Sequence, residues 1–257
     1  MLSIFCLKII YNKKGIIYNS FKLKGLSMNK VLLLRALGLF PHFLYKRIIK
    51  KFNLNFKPSE LDFLTVVNNK KLILENLFSN ESELFTNYLN NSKCYGEYGV
   101  GISTVYAARY QNKKTISIDT DIAWVNKVKE NLFSEDNIDI SYVDFGEVLS
   151  YGRPKSYKNR ENIKSYLSYI WQKNSKPDLV LIDGRFRVAC FLTTLIHAEK
   201  GTHIIFDDYI LRQHYHIVEM FEKPIEKNNR QAVFRVSKNY DFDQVNFYLN
   251  KFEFVFD

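Results

Sequence analysis

Between Cys94 and Phe206 the chain repeats one local pattern five times: a short apolar or β-branched run that carries or meets an acid at its end. Cys94–Tyr98 carries Glu97 and leads into Gly99-Val100-Gly101. Thr115–Ile118 stops at Asp119 and Ile138–Val143 at Asp144. Asp178–Ile182 stops at Asp183, and His203–Phe206 at the pair Asp207-Asp208. Helical spacing follows in Ser103–Tyr110, Ala123–Leu132, Val188–Ala198 and Gln213–Phe221. Strand-length runs alternating with helices predict an α/β fold with a doubly wound, mostly parallel sheet. Pro58-Ser59-Glu60 reads as a helix start, with leading helices over residues 60–92. Ala232–Val236 and Phe252–Phe256 are expected to supply the last two strands.

Charge divides the chain differently. The net charge is +10, yet residues 1–59 hold twelve Lys/Arg and no acid, whereas residues 60–257 hold 25 Lys/Arg against 27 Asp/Glu. The basic excess therefore belongs to an N-terminal arm, and the expected catalytic domain is 60–257. That distribution argues against a nucleic-acid footprint on the domain itself. Neither apolar stretch of the arm reaches the ~18 uninterrupted apolar residues of a spanning helix. Val31–Phe52 mixes Leu, Ile and Phe with basic residues, which suits a helix on a membrane surface, on a partner, or packed on the domain. Met28 is an alternative start to Met1. Cys6, Cys94 and Cys190 form no CxxC pair and are too few for a disulfide framework. A cytoplasmic protein, with peripheral membrane contact through the arm, is the expectation.

In sheets of this type ligands bind beyond the carboxyl ends of the strands. Any one of these acids can simply cap the following helix; one at every strand end points to a site. The turn Glu97-Tyr98-Gly99-Val100-Gly101 lacks the GxxxxGK[ST] pattern of a P-loop and the third glycine of a dinucleotide fingerprint. With its acid two residues before Gly99, it resembles motif I of class I S-adenosylmethionine-dependent methyltransferases. The resemblance runs from about Leu61 to Val236 through Ser117-Ile118-Asp119-Thr120-Asp121, Tyr142-Val143-Asp144-Phe145-Gly146, Leu181-Ile182-Asp183-Gly184-Arg185-Phe186-Arg187 and Phe206-Asp207-Asp208-Tyr209. As a set these are similar to a group of bacterial methyltransferase-like proteins of largely unassigned substrate. The resemblance implies a seven-stranded Rossmann-like sheet with an antiparallel final strand, and S-adenosylmethionine as cofactor. Glu97, Gly99, Gly101 and Ser103 would form its first loop. Asp119 would hold the ribose hydroxyls, and Asp144 with Phe145 the adenine. Trp124 is either a wall beside the nucleoside or a core aromatic.

The [DNS]-P-P-[YFW] signature of many amino-group and nucleic-acid methyltransferases is missing after the fourth strand, where Asp183-Gly184-Arg185-Phe186 stands. Transfer to a hydroxyl of a small molecule or sugar is therefore expected over base methylation, with Asp183, Asp208 and His214 as catalytic candidates. Asp183, Asp207 and Asp208 also resemble the carboxylates that hold a divalent metal such as Mg²⁺ in catechol-type O-methyltransferases, with an acid where an amide is usual. Arg185 and Arg187, if extended, share a face that grips an anionic group, and Tyr209 stands beside them as a substrate contact. His216 is an alternative base to His214. Tyr151–Trp171, aromatic and basic, forms a lid, a substrate wall or a surface helix. The rival readings are a catalytically silent scaffold on the same fold and a nucleotide-dependent enzyme.

Overall fold

A computed structural model describes residues 11–12, 15–16, 58–132 and 137–256. The chain divides into two compact units, Met1–Asn55 and Phe56–Asp257. In the first, Tyr11–Asn12 pairs antiparallel with Gly15–Ile16; the helix expected over Val31–Phe52 lies outside the described residues. No helix among the described residues is long and apolar enough to cross a membrane.

The second unit begins with helices α1 (Pro58–Val67), α2 (Lys70–Asn76) and α3 (Ser82–Asn91). Its sheet follows as β1 (Cys94–Tyr98), β2 (Lys114–Asp119), β3 (Ile138–Tyr142), β4 (Leu179–Ile182), β5 (His203–Phe206), β6 (Glu226–Lys227) and β7 (Ala232–Arg235). Between the strands lie α4 (Ile102–Val105), α5 (Ile122–Lys129), α6 (Ile163–Ser168) and α7 (Arg187–His197), and α8 (Phe242–Phe252) closes the chain. The strand order is β3-β2-β1-β4-β5-β7-β6, with β1 to β5 parallel and β7 antiparallel to both β5 and β6. This is the expected doubly wound sheet with its reversed strand.

Both faces are covered, so the central strands are buried along their length, β4 and β5 mostly apolar and β1 carrying Glu97 inside. Alternate residues feed two cores. Tyr98, Ile116, Ile118, Val180, Ile182, Ile204 and Phe206 pack on the α6–α7 side, whereas Tyr95, Leu179, Leu181 and Ile205 pack with Phe85, Val105 and Val125 on the other. The register pairs Tyr98 with both Ile118 and Ile182. The turns after β1, β2 and β4 therefore open at one edge.

The chain end corrects the sequence expectation. Phe252–Phe256 is no strand: Asp241 caps α8 by accepting from the Asp243 and Gln244 amides, and Val245, Tyr248, Leu249 and Phe252 recur at helical spacing against the α7 core. The strand expected over Ala232–Val236 is β7, and its edge partner is β6. Gln213–Met220 is a 3₁₀ helix. Tyr151–Trp171 also divides: its first part is loop and its second, including α6, is core, with Ile163, Tyr166, Leu167, Ile170 and Trp171 all buried.

Candidate functional site

Two glycines bring the β1 and β4 turns into contact. Gly99 has φ +99°, and a Cβ there would lie 2.6 Å from the Gly184 nitrogen; one on Gly184 would meet the Tyr166 hydroxyl at 2.6 Å. Gly101 is different. A Cβ on it would meet only the Trp124 indole nitrogen, at 3.8 Å, so the turn presents bare backbone to open space, as a loop approached by a ligand must.

Below that turn lies Glu97, fully buried. Its Oε1 accepts from the Tyr95 hydroxyl at 2.9 Å and from Ser103; its Oε2 accepts from Thr104 at 2.5 Å and Ser117 at 2.9 Å. Burial pushes its pKa up, four hydroxyl donors oppose the shift, and the balance is about 7. Thr104 Oγ1 also accepts from the Gly101 amide at 2.8 Å, so this network ties strand to turn. Glu97 and Ser103 thus support the loop from beneath.

Asp119 ends β2 beside the turn. Its Oδ2 accepts from the Val100 amide at 2.7 Å, and its Oδ1 from the Thr120 and Asp121 amides at 2.6 and 2.8 Å. Burial raises its pKa against those three donors. With one donor on Oδ2, that oxygen keeps a lone pair for a hydroxyl. Trp124 donates its indole N–H to the Val100 carbonyl and packs edge-on to Phe63 at 5.2 Å, so it braces the turn.

At the β3 end, Asp144 is exposed and accepts from the Gly146 amide at 2.7 Å and the Tyr142 hydroxyl at 3.1 Å. The Gly146 bond, with Tyr142, lowers its pKa. Phe145, expected beside adenine, turns inward to Phe186 and Tyr166, with ring centroids 5.1 and 5.9 Å away. Its size and apolarity are satisfied in the core.

Beyond β4 and β5 the three aspartates do converge, their carboxylate oxygens within 4.8 Å of one another. Guanidinium groups already hold them. Arg187, only 3% exposed, binds Asp183 Oδ1 at 3.0 Å and reaches Asp208 at 3.6 Å. Arg230 grips Asp207 with two bonds, 2.7 and 2.5 Å, and Asp208 at 2.8 Å; Arg212 reaches Asp208 at 2.7 Å. Three arginines balance three carboxylates. A divalent cation would have to enter among those positive charges, so the donor set does not fit one.

Within the cluster the acids divide. Burial and the neighbouring Asp207 charge push the Asp183 pKa well up, although its side chain is 34% exposed to a crevice. Asp207 is fully buried, yet its bonds and charges from Arg230 and Arg187 outweigh that burial and hold its pKa down. Asp183 is therefore the more basic of the two.

The remaining candidates scatter. Arg187 opens α7 and points into the cluster, not alongside Arg185, because Phe186 between them takes a left-handed backbone, φ +57°. Arg185 donates Nε–H to the Tyr151 carbonyl at 2.8 Å. Tyr209 is fully buried and donates to Glu219 at 2.8 Å, so the expected substrate contact is a core residue. His214 is exposed, its ring 4.3 Å from that of Tyr215, whereas the half-buried His216 places Nε2 3.1 Å from the Tyr209 carbonyl. Sequence reading missed Arg212, Arg230 and Gln231, whose Nε2 donates to Asp207 at 3.0 Å. It also missed Thr120 as a contact of the 150s loop. For Arg230 and Gln231 only a fold-level pairing of β5 with β7 supplies a signal.

A solved structure shares this architecture. A methyltransferase-like protein of Silicibacter pomeroyi is similar at 29% identity, with a TM-score of 0.62, covering 67% of this chain and 93% of its own. The N-methyltransferase NodS of Bradyrhizobium japonicum, in complex with S-adenosyl-L-homocysteine, matches at 10% identity and a TM-score of 0.41, over 70% of this chain and 99% of its own. No protein-family model matches the sequence, and neither does any curated protein.

Proposed function

We propose that this chain, similar in fold and sequence to a methyltransferase-like protein, binds S-adenosylmethionine and transfers its methyl group to a hydroxyl of a small molecule or sugar. One observation carries the cofactor reading: Asp119 lies under a glycine turn whose Gly101 faces open space, with an Oδ2 lone pair left over. Asp119 would accept from the ribose hydroxyls, while Gly99 and Gly101 admit the methionine portion to the backbone. Asp144 would accept from the adenine amino group. When bound, the cofactor supplies a methyl on an activated sulfonium, which an acceptor oxygen takes by in-line displacement.

The chain's own task is then alignment and removal of one proton. Asp183 is partly exposed and held by Arg187 at 3.0 Å, and burial with the Asp207 charge makes it a stronger base than an ordinary carboxylate. We assign it the acceptor's proton. Asp208, fixed by Arg212 and Arg230, positions the acceptor. No step is routed through a metal, because arginines supply the positive charge. The domain's near-neutral charge supports a small acceptor over nucleic acid.

The same ion-pair cluster favours a second reading, binding without turnover, since Asp183 and Asp208 are already engaged by Arg187, Arg212 and Arg230. A transfer assay with methyl-labelled cofactor and a panel of hydroxylated acceptors separates the two. Label transfer that Asp183→Asn reduces by a hundredfold or more supports the enzyme. Tight cofactor binding with no transfer to any acceptor supports the binding protein.

A further inference from the structure

The segment after β3 crosses the site as a short strap. Leu149 donates to the Arg153 carbonyl at 2.7 Å and Lys155 to that of Glu147 at 2.9 Å, with Val148 bridged to Pro154. The Glu147–Lys155 ion pair, at 2.9 Å, closes the outer rung. At the root, Asn162 donates to the Asp144 carbonyl at 2.8 Å.

The strap tip is tied on two sides. Thr120, the residue after Asp119, donates its hydroxyl to the Gly152 carbonyl at 2.5 Å. Arg185, after β4, donates to the adjacent carbonyl of Tyr151 at 2.8 Å. In the strand order β2-β1-β4 these ties come from the ends of the two strands that flank β1 and its glycine turn. The contact is close: Gly152 has φ +72°, and a Cβ there would meet Thr120 Oγ1 at 2.5 Å and Asp119 Oδ1 at 3.3 Å. Tyr151 also has positive φ, +61°, unusual for an aromatic residue, while the residue is 89% exposed. A tip bent this way persists only where its surroundings hold it.

We propose that Thr120 and Arg185 are positioning residues that hold the strap Glu147–Lys155 closed over the cofactor site, so that breaking these two hydrogen bonds admits and releases cofactor. The proposal rests on the cofactor reading above. It gives Arg185 a role other than gripping substrate, and it gives the strap carbonyls, which carry no side-chain information, a function.

Two measurements test it. In the first, stopped-flow displacement of S-adenosylhomocysteine is followed by the fluorescence of Trp124, beside Gly101. Thr120→Val and Arg185→Met, which remove the Thr120 hydroxyl and the Arg185 guanidinium from the strap, are expected to speed release about 3- to 10-fold, whereas Thr120→Ser, which keeps the hydroxyl, stays within about twofold of the parent. The second is hydrogen exchange of the Leu149 and Lys155 amides in the full chain without cofactor, where both donor-removing variants should exchange faster. Release rates and amide exchange that match the parent in Thr120→Val and Arg185→Met would overturn the proposal. A parent chain that binds no S-adenosylhomocysteine would refute the cofactor reading, and amide exchange would still decide whether the ties hold the strap.

Discussion

Glu97 shows what it takes to keep a carboxylate inside this sheet. Burial alone would protonate it; four hydroxyls, from Tyr95, Ser103, Thr104 and Ser117, return its pKa to about 7. Because the folded pKa lies above the unfolded value, the folded state binds the extra proton between about pH 4.5 and 7. Glu97 therefore costs stability as pH rises through that window, and the cost is complete above pH 7. The unfolding free energy of the parent should fall from pH 5 to 8 by up to about 3 kcal/mol more than that of Glu97→Gln, measured by urea titration. Equal pH slopes would mean that the hydroxyls hold the anion without penalty. The Asp207–Arg230 pair has the opposite character, with Asp207 fully buried and its charge kept by its partners. Arg230→Met removes one partner and leaves the acid, which should lower stability by about 3 kcal/mol in the same assay. The acids of this site are legible in sequence because each stands at a strand end. Arg230 and Gln231 are not, since their pairing with Asp207 depends on β7 lying antiparallel beside β5, a contact that no local pattern encodes.

At the scale of elements, the alternation of apolar runs and helical stretches is enough to place β1 to β5 and the helices that follow β1, β2 and β4. It fails where two periods overlap. Phe252-Glu253-Phe254-Val255-Phe256 alternates like a strand, yet Asp241 starts a helix eleven residues earlier, and Val245, Tyr248, Leu249 and Phe252 find an apolar face on α7. Tertiary burial of that stripe outweighs the local β pattern. Val245 is fully buried in this contact, so Val245→Ala should lower the unfolding free energy by about 2 kcal/mol, and Val245→Asp should leave α8 undocked. The 150s segment divides for a similar reason. Its aromatic second half has a core to enter, whereas the Gly152 turn has Thr120 and Arg185 to bind.

Over the whole molecule, the +10 charge and the proposed chemistry occupy different units. Every residue assigned to cofactor or acceptor lies in Phe56–Asp257, while the acid-free arm carries the positive excess. A chain beginning at Phe56 should therefore bind cofactor within about twofold of the full chain at equal salt. A large loss of affinity would place part of the site in the arm. The central claim is that Asp119 and the Gly99–Gly101 turn form an S-adenosylmethionine site, and isothermal titration of the full chain with S-adenosylmethionine tests it most directly. The account predicts saturable one-to-one binding that weakens at least tenfold in Asp119→Ala, with that variant still folded by circular dichroism. No binding at millimolar cofactor, or equal affinity in Asp119→Ala, would contradict it.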